Sequence, residues 1–207
     1  DALGVSGYNF LPVACGLEMI HTYSLIHDDL PCMDDDEYRR GRLTNHKVFG
    51  EALALLAGDA LLTLAFEVML EQKNVPAEVL VETVREVAMC AGNFGMVGGQ
   101  VIDLDSEGRQ ISEEELRKLH AGKTGALFIA AVRSGARLSG AASDELLALT
   151  KFADLRVLLS RSQTISLMSR VMLLRWARQR IVMRKSISHL CDLIYSGRRQ
   201  SAGSENC

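Results

Sequence analysis

The segment between His27 and Arg40 contains the residues best suited to chemistry. Five aspartates fall within nine residues, at positions 28, 29, 34, 35 and 36. Carboxylates so close together repel one another in a poorly screened cleft, so they indicate a cation among them. Mg²⁺ typically takes one or two carboxylates and completes its shell with water and substrate phosphates. The alternative is a solvated acidic loop, but an apolar helix leading directly into the segment is unlike a solvated tail.

Pro31 allows the two ends of this acidic segment to meet. On an unbroken helix, residues one and five share a face, whereas residues one and seven do not. A continuous helix would therefore point the carboxylates of Asp28 and Asp34 in different directions. Because Pro31 breaks the helical turn between them, we expect Asp34 to lie beside Asp28.

Two arginines, Arg39 and Arg40, directly follow the acidic residues. Arginine presents a fork of hydrogen-bond donors that fits phosphate oxygens, and it stays charged. Carboxylates for Mg²⁺ beside arginines for phosphate indicate a diphosphate ligand. Farther along, Lys123 and Thr124 interrupt an apolar helical run, where a lysine must reach solvent or meet an anion. For Lys123 taken alone, reaching the surface is the more common outcome.

The elements that must position these residues have helical periodicity. Helices are predicted over residues 11–29, 50–70, 77–90 and 112–137, with another beginning at Ser143. No part of residues 1–154 has the pattern of a strand ladder, so the predicted fold class is all-α. Residues 50–70 are apolar around most of the helix circumference, which predicts a buried helix. The glycines between Gly92 and Gly99 predict a close approach of the backbone to another helix or to a ligand.

The composition is that of an ordinary folded chain. Its 207 residues are 48% apolar and 24% charged with only 3 prolines, which excludes collagen-like and low-complexity chains. Charged residues or glycines interrupt the apolar stretches, and no basic segment followed by an apolar stretch opens the chain, so we expect a soluble, cytoplasmic protein. The five cysteines are scattered without a CxxC pair, so neither a disulfide framework nor a zinc knuckle is expected.

The charge is distributed unevenly along the chain. Residues 1–154 contain 13 Lys and Arg against 24 Asp and Glu, whereas residues 155–207 contain 10 against 2. A basic tail of this kind could bind nucleic acid or a membrane, or it could form a solvated helix face. The tail has neither the aromatic interleaving of a single-strand binder nor a clear amphipathic period.

Four segments resemble motifs of one enzyme family. They are the acidic segment with its flanking residues (21–41), GEALALLAGDALLTLAFE (50–67), GMVGGQVIDLD (95–105) and HAGKTGALFIAA (120–131). In this order and spacing they are similar to the trans-polyprenyl diphosphate synthases, and more closely to the bacterial farnesyl diphosphate synthases (geranyltranstransferases). The resemblance covers roughly residues 16–154.

The resemblance implies an all-helical bundle around a central cavity, usually a homodimer, with no nucleic acid or membrane partner. Such an enzyme condenses an allylic diphosphate, dimethylallyl or geranyl, with isopentenyl diphosphate, and C15 farnesyl diphosphate is the expected product. Mg²⁺ is the implied cofactor, with Asp28 and Asp34 as its ligands and Asp29 supporting them. By the same analogy, Arg39 would hold the allylic diphosphate and Arg40 the isopentenyl diphosphate.

Further residues are assigned by the resemblance. His21 falls where the family often places a contact to isopentenyl diphosphate. Lys123 and Thr124 match a Lys-Thr pair that reaches the allylic diphosphate, and Gln100 and Asp103 match the GQxxD element near the metals. Tyr23 matches an aromatic residue that blocks the growing chain in short-chain members. The expected catalytic residues are Asp28, Asp29, Arg39 and Lys123.

Two parts of the family pattern are missing. The Gly-Gly-Lys-x-x-Arg element would lie upstream of Asp1, and no second aspartate motif follows Asp154. Read one nucleotide earlier, the codons from Val157 onward permit Gly-Leu-Ala-Phe-Gln-Ile-Ser-Asp-Asp-Ile-Leu-Asp, which contains that motif, so we hypothesise a frameshift near Leu155. The predicted domains are a partial polyprenyl synthase domain, 1–154, and an aberrant, out-of-frame basic tail, 155–207. We expect a fold incomplete at both ends and weak or no activity.

Two other functions fit part of the pattern. Class I terpene cyclases share Mg²⁺-bound aspartates and an α-helical cavity, but they do not need the second diphosphate site that the Arg39–Arg40 and Lys123–Thr124 pairs indicate. A noncatalytic prenyl-synthase-like subunit would keep the fold and would bind diphosphate with Mg²⁺ without turnover.

Overall fold

The described part of the chain is built almost entirely from helices, which confirms the all-α prediction. A computed structural model of the chain describes residues 3–162, with side chains through residue 157. The helices are α1 (Leu11–Asp28), α2 (Asn45–Phe49), α3 (Glu51–Leu70), α4 (Ala77–Ala91), α5 (Met96–Ser106), α6 (Glu113–His120), α7 (Ala126–Leu138) and α8 (Ser143–Ser162). A 3₁₀ turn, Gly7–Phe10, precedes α1, and a π-helical turn, Ala121–Gly125, joins α6 to α7.

The boundary predicted at Asp154 falls inside α8, and it stays a prediction. Residues 1–158 form one compact unit. Residues 163–207, which make up most of the predicted basic tail, lie outside the described part of the chain.

A short β-hairpin corrects the expectation that residues 1–154 contain no strand pairing. Strands β1 (Tyr38–Arg39) and β2 (Arg42–Leu43) pair antiparallel, with Arg39 opposite Arg42. The two residues between them, Arg40 and Gly41, have φ angles of 54° and 75°, as a tight two-residue hairpin turn requires. Two residues per strand are too few to produce an alternating pattern in the sequence.

Helices α1 and α3 pack antiparallel and supply much of the core. Gly16 of α1 lies against α3 so closely that an added Cβ would be 2.7 Å from the carbonyl oxygen of Ala65. The fully buried Ile20 and Met69 come from these two helices. This packing fixes the position of the end of α1, where Asp28 is the last helical residue and Asp29 is the C-cap.

Helix α3 is buried along one stripe only, so the prediction of a buried helix is correct for that stripe and wrong for the rest of the helix. The stripe consists of Ala54, Gly58, Leu61, Ala65 and Met69, at the spacing that places residues on one helix face. On the other side, Leu55 and Leu56 keep 47% and 59% of their surface exposed. Because apolar residues occur on every side of α3, its sequence does not indicate which face is buried.

Helix α3 is apolar over most of its length, although Gly58, Asp59 and Glu67 interrupt it, as expected from the sequence. Within residues 3–162, α3 is the one helix long and apolar enough to cross a membrane by length and composition alone, with a mean hydropathy of 1.9. Its charged residues Asp59 and Glu67 lower this mean, but they do not bring it below the range of a membrane span. The core helix of a soluble protein can have the same length and apolar composition, so these two properties do not distinguish it from a membrane span.

The helix predicted over residues 112–137 is divided by the π-helical turn. Its predicted capping box is confirmed, since Ser112 Oγ accepts from the Glu115 amide at 3.2 Å and Glu115 Oε2 accepts from the Ser112 amide at 2.9 Å. The close approach predicted for the glycine-rich segment is also observed. A Cβ added at Gly99 of α5 would lie 2.1 Å from the Lys123 amide nitrogen. The π-helical turn thus lies directly against α5.

Candidate functional site

The end of α1 folds back so that Asp34 returns to Asp28. After α1 ends, the Met33 amide donates to the Leu30 carbonyl at 2.8 Å, and the Asp34 amide donates to the Asp28 carbonyl at 2.9 Å. The turn includes Pro31, as the sequence predicted. The two aspartates assigned to the metal are therefore adjacent, although they come from different turns of the chain.

Asp28 lies at the centre of the candidate site, and only 18% of its side chain is exposed. Burial raises the pKa of its carboxyl group, and the charges of Asp34 and Asp29 raise it further, whereas the charges of Lys123 and Arg39 lower it. Its Oδ1 accepts a hydrogen bond from Gln100 Nε2 of α5 at 2.8 Å. The site thus concentrates negative charge where it is only partly screened.

Arg39, on β1, makes an ion pair with Asp29. Its Nε donates to Asp29 Oδ1 at 2.6 Å, its Nη2 lies 2.5 Å from the same oxygen, and only 5% of the Asp29 side chain is exposed. Arg39 Nη2 is also 3.8 Å from Asp28 Oδ2 and 3.7 Å from Asp36 Oδ2. The hydrogen bond with Asp29 raises the pKa of the Arg39 guanidinium. The hairpin places this arginine, assigned to the allylic diphosphate, beside the predicted metal ligands.

Lys123 meets anions in this structure. Its Nζ is 2.5 Å from Asp103 Oδ2 of α5. Burial lowers the pKa of Lys123, but the hydrogen bond with Asp103 and the charges of Asp28, Asp103 and Asp34 outweigh burial and raise it. An ammonium group therefore lies among carboxylates from three elements. Thr124, on the same π-helical turn, is exposed.

Two further assigned residues lie on α1. Burial and the charges of Arg40 and Arg39 lower the pKa of His21, so this imidazole lies close enough to the arginines for their charges to disfavour its protonated form. Tyr23 is 7% exposed in the apolar core, and burial raises its pKa. All the assigned residues except Thr124 and Tyr23 thus have contacts or electrostatic interactions that connect them to the same region.

The carboxylates fit a magnesium ion that is completed by a ligand. Within residues 3–162, no group of three or more His, Cys, Asp or Glu side chains forms a metal cage by itself. Mg²⁺ does not need one, because it commonly uses one or two carboxylates together with substrate phosphates. The repulsion among Asp28, Asp34 and Asp29 is the electrostatic environment that a cation relieves, and here the charges of Lys123 and Arg39 partly relieve it.

His27 begins the acidic segment, but its sequence position alone does not indicate a role for it. Its Nε2 donates to the Leu55 carbonyl of α3 at 2.9 Å, and its ring meets that of Tyr23 edge-on at 5.6 Å. The imidazole lies directly against Gly58, where an added Cβ would be 2.1 Å from Nε2. Glycine is unfavourable in the middle of a leucine- and alanine-rich helix, so Gly58 is the sequence feature that indicates a close contact there.

Comparison with known proteins identifies the family. The family model described as Polyprenyl synthetase matches residues 4–156. The chain belongs to the polyprenyl synthetase family. The resemblance found in the sequence motifs is thereby confirmed, and so is the helical fold class that it implied.

Individual proteins that are similar to the chain support this family assignment. The chain is 55% identical over 146 residues to a geranylgeranyl diphosphate synthase of Cyanophora paradoxa, covering 70% of this chain and 49% of that protein. It is 50% identical over 156 residues to the farnesyl diphosphate synthase of Bacillus subtilis, covering 74% and 53%. The chain thus spans about half the length of these curated relatives.

A solved structure from the family has the same fold. It is an FPP/GFPP synthase from Zymomonas mobilis in its apo form, with a TM-score of 0.70 and 42% sequence identity. The match covers 73% of this chain and 55% of that one. The helices described above are therefore arranged as in this part of a family member.

Proposed function

We propose that this chain carries the diphosphate- and Mg²⁺-binding site of a prenyltransferase. The enzyme would condense an allylic diphosphate, dimethylallyl or geranyl, with isopentenyl diphosphate. The observation that carries the proposal is the convergence of Asp28, Asp34, Arg39 and Lys123 from α1, the turn after it, β1 and the π-helical turn. The relatives support it, since they include farnesyl and geranylgeranyl diphosphate synthases.

Asp28 and Asp34 are the residues that would hold Mg²⁺. When bound, the ion neutralises the diphosphate and makes it a better leaving group. Gln100 keeps the Asp28 carboxylate in place through its hydrogen bond. Asp29 is buried against Arg39, so its proposed role is to support the arginine rather than to bind the ion.

The basic side chains would hold the two diphosphates. Arg39 and Lys123 flank Asp28, so their donors can reach an allylic diphosphate beside that carboxylate. Arg40 and His21 interact electrostatically with each other, and we assign them to isopentenyl diphosphate. Thr124, exposed beside Lys123, would add a hydroxyl contact to the allylic diphosphate.

The proposed reaction consists of one ionisation and one addition. The bond between the allylic carbon and the diphosphate oxygen breaks, and an allylic cation forms in apolar surroundings. The double bond of isopentenyl diphosphate then attacks this carbon, and the resulting cation loses a proton to the released diphosphate. Fixed donors around the departing diphosphate stabilise the charge that develops there.

We propose a short-chain product, C15 or C20. The relatives include synthases of both lengths, so they support this class without distinguishing its members. Tyr23, buried below the aspartates on α1, is our proposed limit on chain length, which favours C15. In a catalytically competent form, Tyr23→Ala would lengthen the product as measured by chromatography, and an unchanged product would remove Tyr23 from this role.

We also propose a homodimer in the cytoplasm, without a membrane or nucleic acid partner. The exposed leucines of α3, Leu55 and Leu56, are the apolar surface that a second subunit would cover. Sedimentation of the purified chain at two concentrations tests the dimer. A monomer at both concentrations would contradict it.

Binding tests the proposed function without requiring turnover. In titration calorimetry, the chain should take up geranyl diphosphate only when Mg²⁺ is present. Asp28→Asn and Asp34→Asn should each weaken this binding about 10-fold or more, because each removes a carboxylate ligand of the ion. Asp35→Asn is the matched control, since it makes the same charge change in the same segment. Equal weakening by all three would contradict the site, and cation-dependent binding without any product would favour a noncatalytic subunit.

A further inference from the structure

His27 is placed between the apolar core and the aspartates. It is the last residue before Asp28, and its Nε2 lies 2.9 Å from the Leu55 carbonyl oxygen of α3. A carbonyl oxygen can only accept, so Nε2 must bear the hydrogen. The Tyr23 ring packs edge-on against the imidazole, with an interplanar angle of 84°. These two contacts hold the ring in place, with Nε2 as the donor to α3.

Gly58 provides the space that this arrangement needs. A Cβ at position 58 would lie 2.1 Å from His27 Nε2 and 2.3 Å from Cδ2, closer than any real contact. A larger residue would force the imidazole away from α3 and break its hydrogen bond to Leu55. The imidazole and the glycine are therefore complementary parts of one contact between α1 and α3.

Three consecutive residues at the end of α1 are attached to three different elements. His27 donates to α3, Asp28 accepts from Gln100 of α5, and Asp29 accepts from Arg39 of β1. Successive residues of an α-helix are rotated by about 100°, so fixing the direction of one side chain fixes those of its neighbours. The attachment at His27 consequently sets the direction in which Asp28 leaves the helix.

We propose that His27 is a positioning residue for Asp28, acting through its Nε2–H hydrogen bond to Leu55 in the space left by Gly58. The inference rests on the proposed function, because it concerns the orientation of a ligand to Mg²⁺ and diphosphate. The role requires a hydrogen-bond donor of the right length and no change of protonation. Residues that orient metal ligands typically contribute 10- to 100-fold to metal affinity or activity.

Two substitutions at position 27 separate this role from others. Glutamine carries its Nε2 the same number of bonds from Cα as the imidazole Nε2, so His27→Gln keeps the donor and removes any acid–base function. His27→Leu keeps the apolar bulk and removes the donor. In calorimetry with inorganic diphosphate and Mg²⁺, we expect His27→Leu to weaken binding about 10-fold and His27→Gln to stay within about 3-fold of the unaltered chain.

Glycine substitutions provide the coupling test and the control. Gly58→Ala should weaken binding as His27→Leu does, and combining the two should cause no further loss, because both break the same contact. Gly16→Ala crowds the other end of the α1–α3 contact, where a Cβ meets Met69 and Ala65. It should lower the melting temperature and leave diphosphate affinity within about 2-fold, since it leaves His27 in place.

The outcomes are distinguishable. If the unaltered chain shows no Mg²⁺-dependent uptake of diphosphate, the proposed function fails, and this inference fails with it. If the unaltered chain binds and His27→Leu binds equally well, only the positioning role is overturned. Loss of binding in His27→Gln as large as in His27→Leu would also overturn it, because the donor would then not be what matters.

Discussion

The ion pair between Arg39 and Asp29 predicts a large loss of stability in Arg39→Ala. The Asp29 side chain is 5% exposed and accepts a charge-assisted hydrogen bond from Arg39 Nε at 2.6 Å, and Arg39 Nη2 lies 2.5 Å from the same oxygen. Removing the partner of a buried charge typically costs about 3–5 kcal/mol. Because 30% of the Arg39 side chain is exposed, water screens the pair on one side, and we expect about 2–3 kcal/mol.

Urea unfolding followed by far-UV circular dichroism measures this loss. The double variant Asp29→Asn/Arg39→Ala removes the buried charge together with its partner, so it should be more stable than Arg39→Ala alone by about 1–2 kcal/mol. Arg117→Ala is the matched control, because its ion pair with Glu113 lies on the surface, with side chains 72% and 77% exposed. That control should cost less than about 1 kcal/mol. Equal losses for Arg39→Ala and Arg117→Ala would refute the buried pair.

Three further predictions concern individual residues and the gene. Lys123→Gln should raise the pKa of Asp28 further, because the charge of Lys123 lowers it; carboxyl NMR titration measures this, and an unchanged pKa would contradict the contact. The folded-state pKa of His21 is lowered, so protonation of this residue opposes folding. The stability of the unaltered chain relative to His21→Gln should therefore fall as the pH drops below about 6.5. Urea unfolding of both chains at several pH values measures this, and a stability difference that does not change with pH would contradict it. Resequencing the DNA over codons 150–175 should reveal an extra or missing nucleotide near Leu155, and a clean, unbroken frame would remove the frameshift hypothesis.

The sequence predicted the centre of the site because the signals there are local. The return of Asp34 to Asp28 depends on Pro31, which lies between them, and the structure shows this return. The limits of α1 and the capping box at Ser112 were predicted for the same reason, since each depends on a few neighbouring residues.

Features that depend on distant residues were not predictable in the same way. The pairing of Asp29 with Arg39 requires a hairpin whose strands are too short to leave a periodic pattern. The choice of buried face on α3 depends on its neighbours, because leucines occur on several sides of this helix. The π-helical turn places Lys123 beside Asp103. This turn packs against Gly99, which is 24 positions earlier in the chain than Lys123.

The proposed function depends on Asp28 and Asp34 together binding a divalent cation with a diphosphate. Crystals of the chain grown with Mn²⁺, which replaces Mg²⁺ at oxygen sites and scatters anomalously, and with inorganic diphosphate test it most directly. We expect an anomalous peak within about 2.5 Å of carboxylate oxygens of both residues, with diphosphate density bridging the ion to Lys123. An occupied diphosphate site with no peak there, or a peak held by other residues, would contradict it.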